Sequence, residues 1–195
     1  IYGPFAAMLF VPLLPLGPAG AAWALGILNA TAYWICLILG SRGSLRLYGA
    51  RYDALVLMEV ALIAMLLSMD KARLVISGGQ TDFLVALPLV IGVLWGRHRP
   101  VAAGAALGFA ASIKYIAVVF LPYLILRRRW RQCGAMGASM LCTWLAPALI
   151  CGWNANAEYW RIALAGMGRL LGLTPSSESA PVGEVTFEFS ISITS

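Results

Sequence analysis

The chain has 195 residues, of which 61% are hydrophobic and only 11% charged, and its mean hydropathy is +0.84. A soluble domain carries roughly 25% charged residues, so this composition excludes an ordinary soluble fold and reads as an integral membrane protein. The net charge of +6 comes from short basic clusters between apolar stretches, as the positive-inside rule produces, and needs no nucleic-acid partner.

Ile1 is preceded by no initiator methionine, and no basic stretch leads into an apolar one as in a signal peptide, so the chain is expected to be a fragment. Pro4, Pro12 and Pro15 punctuate its start. Between Pro4 and Pro15 there is room for about 18 Å of helix, too short for a hydrocarbon core of about 30 Å, so 4–16 reads as an interfacial or re-entrant helix. Pro18 then opens a first span, 19–39, ended by Gly40-Ser41-Arg42. Arg42, Arg46 and Arg51 mark the next loop as cytoplasmic.

A second span, 54–69, contains Glu59, which reads as a snorkelling or locally paired carboxylate. The stretch 70–82 has balanced charge and a Gly78-Gly79 turn and is expected on the opposite face. A third span, 83–96, returns to Arg97-His98-Arg99, where His98 reads as a solvated residue among arginines. The four cysteines have no CxxC spacing and read as small hydrophobes rather than metal ligands or disulfide partners.

The segment 100–126 holds one charge, Lys114, among otherwise uncharged residues, with Arg97 and Arg99 before it and Arg127, Arg128, Arg129 and Arg131 after it. An ammonium deep in hydrocarbon costs several kcal/mol unless it has a partner or an aqueous cavity. One straight helix would carry four arginines to the far side, against the basic-loop bias. A hairpin turning back near Lys114 keeps both clusters cytoplasmic and places the lysine at its apex, facing an outer cavity; such backbone is tolerated only under protein cover or beside water. Nine of the fourteen basic residues then lie inside.

Gly104-xxx-Gly108 permits close approach of a neighbouring helix and reads as intramolecular packing. Residues 132–151 form a further span. The stretch 155–172, flanked by Trp153 and carrying Tyr159, Trp160, Arg161 and Arg169, reads as an amphipathic interfacial helix. From Thr174 the sequence is polar, and 174–195 reads as an extracytoplasmic loop or a truncated end. The expected fold is all-α: a polytopic transmembrane helical bundle over 1–173 with short re-entrant or paired helices and interfacial helices.

In this topology Tyr2, Asp70, Lys71, Arg73, Gln80, Asp82, Lys114, Tyr115, Glu158 and Arg161 gather on the outer face. Cations there can hold a phosphate by charge-assisted hydrogen bonds, and a carboxylate can act on an incoming hydroxyl. An ordinary solvated loop with one locally paired lysine fits the same residues. There is no P-loop, HExxH, GxSxG or metal-ligand cluster, so neither a cofactor nor a metal is expected.

Gly79-Gln80-Thr81-Asp82, then Ala103-Gly104, Gly108-Phe109-Ala110 and Ser112-Ile113-Lys114, and a basic end at Leu126 to Trp130, resemble in order and spacing the GT-C glycosyltransferases of family 87, of the polyprenol-phosphate-mannose-dependent mannosyltransferase type. Tyr2-Gly3-Pro4-Phe5 and Pro12-Leu13 resemble the family's stretch after its first outer loop. The resemblance implies a multi-pass plasma-membrane enzyme, bacterial in type, with its active site on the extracytoplasmic side. Such an enzyme passes a hexose from a polyprenyl-phosphate donor to a lipid or glycan acceptor with inversion.

It also implies that the catalytic aspartate lies upstream of residue 1, that Gln80 and Asp82 fall on the turn beside the cavity, and that Lys114 lies near the lipid phosphate. The family's proline two residues after that lysine is Ile116 here. Arg73 and Tyr115 complete the expected donor-binding set. The alternative is a transporter or flippase for a lipid-linked or anionic solute, using the same broken helices.

Overall fold

A computed structural model describes residues 4–49 and 53–170, and among them it is all-helical. The expectations for Tyr2, Arg51 and 174–195 lie outside the described residues. Contacts divide the chain into two units, Tyr2–Trp144 and the residues from Leu145 onward, each described by itself.

In the first unit, α1 (Pro4–Phe10) runs into a 3-10 stretch (Val11–Leu16) and then α2 (Gly17–Leu47). There follow α3 (Ala54–Ser77), α4 (Asp82–Trp95) and α5 (Pro100–Ile113), a second 3-10 stretch (Tyr115–Val119), α6 (Phe120–Leu126) and α7 (Trp130–Cys151). The last turns of α7 belong to the second unit, with α8 (Trp153–Leu170).

Two helices exceed the stretches read as spans. With 31 residues, or about 46 Å, α2 continues through Gly40-Ser41-Arg42, so Arg42 and Arg46 stand on helix rather than in a loop. Gly40 and Gly43 cost some helical propensity but lack the left-handed turn that stops a helix; that comes at Gly49, with φ 65°. Likewise α3 has 24 residues and carries Asp70, Lys71 and Arg73 on its final turns, which shrinks the expected loop 70–82 to the turn at 78–81. Asp53 starts α3 by accepting the Val56 amide at 3.0 Å. Asp53→Ala is expected to cost about 1 kcal/mol in a chemical-denaturation midpoint; no change would show that this end is held by packing instead.

Helix directions follow from paired contacts. The Tyr33 ring of α2 lies 4.8 Å from Phe83 of α4, and Gly43 packs on Leu94, so these two helices run the same way. The Tyr33 hydroxyl bonds Ser68 at 2.8 Å on the antiparallel α3. The turn at 96–99 reverses α4 into α5, with Gly92 against Leu107. Gly104 and Gly108 lie on the α7 backbone at Gln132 and Met136 respectively, and Ser139 Oγ donates to the Ala105 carbonyl at 2.9 Å. Ser112 and Thr143 join hydroxyls further along. The Gly104/Gly108 face is therefore filled by α7, and α5 and α7 are parallel.

Parallel neighbours require the chain between them to come back. The chain leaves α5 at Lys114, whose backbone is extended (φ −136°, ψ 113°), and returns through 115–126 to the end where α5 began. Ile113, Ile116, Val118 and Val119 are β-branched and weaken helix around the break. Pro122 sits in the first turn of α6, where its missing N–H removes no helical bond. Around this reversal Leu107, Ala110, Ile113, Ala117, Leu124 and Met136 form the core with Ala6 of α1 and Val85 of α4. The Phe5 ring meets Phe109 edge-on at 5.6 Å.

The unit thus has two chemically distinct ends. Arg42, Arg46, Arg97, Arg99, Arg127, Arg128, Arg129 and Arg131 collect where α2, α4 and α6 finish and α5 and α7 start. Asp82 and Lys114 lie at the other. Between the ends the surface is apolar: α3 buries only Ala72 and Val75, while Leu55, Met58, Leu62, Ile63, Leu66 and Leu67 are exposed. A contiguous face of that kind is matched by lipid, not water. Among the described residues, two stretches are long and apolar enough to cross a membrane, Phe5–Leu47 and Trp130–Ile150.

Two turns close in the same manner. After α3, Gly79 takes φ 61° and the Gln80 amide reaches back to the Val75 carbonyl at 3.0 Å. After α6, Arg128 takes φ 54° and the Arg129 amide bonds the Leu124 carbonyl at 2.9 Å. Both are Schellman closures, which favour glycine at the left-handed position. An arginine there costs about 1 kcal/mol.

In the second unit, α8 has 18 residues and carries an exposed Glu158–Arg161 ion pair at 2.6 Å. The Arg161 guanidinium hydrogen-bonded to Glu158 holds its carboxyl below the usual carboxylate range. Burial pushes the Tyr159 phenol up.

Candidate functional site

The turn between α3 and α4 and the break after α5 meet at one point. Lys114 Nζ donates to Asp82 Oδ1 at 2.5 Å, and both side chains are a little over one-third exposed. Each charge is also placed favourably on its own helix. Asp82 is the first residue of α4, where free amides and the helix dipole favour an anion, and Lys114 caps the C-terminus of α5, where free carbonyls favour a cation. The ammonium read in the sequence as needing a partner or a cavity has a partner and keeps part of its surface open.

The hairpin explains the meeting. His98 lies in the turn, and Asp82 and Lys114 stand equally far before and after it in the sequence. An antiparallel pair of equal helices, 14 residues each, brings such positions together at its open end. The sequence contained this symmetry, but the reading placed the two residues in one pocket without pairing them.

The other expected residues are not all brought in. Gln80 is exposed in the turn, two residues before Asp82, and its side chain makes no hydrogen bond among the described residues. Arg73 is exposed on α3 between buried Ala72 and Val75 and forms no ion pair among the described residues. Tyr115 follows Lys114 at the head of the 3-10 stretch with its hydroxyl buried. Thr81, not singled out from sequence, is 4% exposed beside Asp82, and its hydroxyl has no partner among the described residues. Only its place between Gln80 and Asp82 could have drawn attention to it.

Described residues that are all helical, with lipid-matched faces, two stretches fit to cross a bilayer and an ion pair open at one helical end, belong to a membrane protein with a polar site at that end. The model of glycosyltransferase family 87 matches residues 1–189, and the chain belongs to that family, of the GT-C type. Its class of activity is glycosyl transfer, which implies a sugar donor and an acceptor. No curated protein and no solved structure matches the chain.

Proposed function

We propose that this protein transfers a hexose, mannose, from a polyprenyl-phosphate donor to a lipid or glycan acceptor on the extracytoplasmic face of a membrane that it crosses several times. The observation that carries the reading is the Asp82–Lys114 pair at the end of the unit opposite the arginines. By the positive-inside rule the arginine end is cytoplasmic, so the pair faces outward. At 14 residues each, α4 and α5 are about 21 Å long, whereas the hydrocarbon core is about 30 Å thick. The pair then lies below the outer surface, and α2, which continues well beyond Asp82, walls the recess.

A recess of that depth suits a donor whose chain is in lipid and whose phosphate stands at the membrane surface. In the transfer, an acceptor hydroxyl oxygen bonds to the sugar C1 and the C1–O bond to phosphate breaks with inversion. The hydroxyl proton goes to a base, and polyprenyl phosphate leaves with the electron pair. Lys114 meets the negative charge that grows on the departing phosphate, which is worth most in a site poor in water. Asp82 keeps the ammonium in place before the donor arrives. We assign Gln80, two residues before Asp82, Tyr115, next to Lys114, and Arg73, exposed on the last turns of α3, to contacts with the donor or acceptor. No residue of the chain is assigned as the base. Family membership favours this reading over a transporter or flippase.

The test is donor dependence in membranes containing the full-length protein. Polyprenyl-phosphate mannose is expected to support transfer, and a nucleotide sugar is not, when flux through polyprenyl-phosphate synthesis is blocked. Transfer from the nucleotide sugar alone would overturn the lipid-linked donor.

A further inference from the structure

The arginine end contains a cavity of about 440 Å³ between the α4–α5 turn and the α6–α7 turn. Arg97, Arg128, Arg129 and Arg131 line it, none forms an ion pair among the described residues, and no carboxylate lines it. The first residues of α5 and α7, Pro100 and Trp130, also face it, so two helix dipoles add positive potential. Gln132 forms part of the wall. It is 2% exposed and donates Nε2 to the Gly92 carbonyl at 3.2 Å, while its Oε1 has no partner among the described residues. Gly96 keeps room there, since a methyl at that position would come 3.0 Å from Arg129 Nη1 and 3.2 Å from Gln132 Oε1.

Backbone chemistry singles out one of these arginines. Of the five described residues with positive φ, four are glycines (Gly17, Gly49, Gly79 and Gly152), and the fifth is Arg128. At the equivalent closure after α3 the chain uses glycine, so the arginine is not there for the turn.

We propose that this cavity binds a phosphate ester at the cytoplasmic end, remote from the Asp82–Lys114 site. The arginines take the phosphate oxygens by charge-assisted, fork-shaped hydrogen bonds. A basic pocket between helices at that membrane surface is placed for an anionic phospholipid headgroup such as phosphatidylglycerol. A soluble glycerol phosphate presents the same groups.

The experiment uses the full-length protein in phosphatidylcholine nanodiscs, with and without phosphatidylglycerol, and in detergent with glycerol 1-phosphate, reading thermal midpoints and bound lipid by native mass spectrometry. Phosphatidylglycerol is expected to be retained and to raise the midpoint. Arg128→Gly is expected to raise the midpoint in pure phosphatidylcholine by about 2–4 °C as the turn relaxes. The same change weakens phosphatidylglycerol binding at least about tenfold. Arg97→Gln, which leaves the α6–α7 turn untouched, is expected to weaken binding without the gain in midpoint.

Retention of lipid with no response to glycerol phosphate identifies the lipid as the source; a response to glycerol phosphate alone supports the site with a soluble ligand. Failure of both probes to bind, or equal binding by wild type and Arg128→Gly, overturns the proposal.

Discussion

Lys114→Ala in the full-length protein is expected to lower sugar transfer about 100-fold or more while the protein still inserts and folds. Removing one preorganised group that meets developing charge typically costs 10²–10³ in rate, and the Lys114 ammonium, held in place by Asp82, is proposed as such a group. Asp82→Asn is expected to be milder, about tenfold, because the ammonium remains but is no longer held at 2.5 Å. Exchanging the two residues restores an ion pair but places a cation at the N-terminus of α4 and an anion at the C-terminus of α5, against both dipoles. That double variant is expected to remain inactive, which separates phosphate binding from mere pairing. The measurement is initial transfer rate per correctly inserted molecule. Full activity in Lys114→Ala would remove the lysine from the chemistry and leave it a structural partner of Asp82.

The largest effects on stability are expected at Gly104 and Gly108, where an added side chain meets the backbone of α7; Gly108 illustrates the argument. A side chain there would overlap the Met136 carbonyl and the Ser139 side chain on α7. Overpacking against movable side chains costs about 1–3 kcal/mol. Here the obstacle at Met136 is backbone, so the two helices must separate. Gly108→Val is expected to exceed that range and abolish the folded form in a detergent melt, with Gly104→Val similar because Gln132's carbonyl stands in the same relation.

Gly134 and Gly137 of α7 provide the control, since nothing lies within 4 Å of a methyl added at either. Alanine at those two positions is expected to be neutral or to stabilise by up to about 1 kcal/mol each. Small gains at all four glycines would mean that helix propensity, not the α5–α7 seam, sets the outcome.

Much of the architecture could be read from residue order because it follows from local chemistry. The break at Lys114 lies where the arginines on either side argued for a reversal, and β-branched residues at 113, 116, 118 and 119 supply the local weakness. Helix ends were harder. Charged residues on α2 and α3 looked like loop, yet a helix stops where its backbone can turn left-handed, at Gly49 and Gly79, rather than where its side chains become polar. The Asp82–Lys114 contact was not legible in the sequence. Gln80, Asp82 and Lys114 were grouped by resemblance, but the direct bond between Asp82 and Lys114 and the buried Thr81 beside it were not.

By itself the sequence determined that this chain belongs in lipid, since 61% hydrophobic and 11% charged residues leave too little polar surface for water, and its long apolar runs pointed to helix, the form the described residues take. Its motifs determined the family. Only the tertiary structure decided which charges are neighbours. Pairing depends on helix direction and register, and those are set by contacts between distant residues: Tyr33 with Phe83, Gly104 with Gln132, Gly108 with Met136. The same contacts sorted the cations into two kinds, one lysine balanced by an aspartate at the open end and four arginines left facing a cavity at the other.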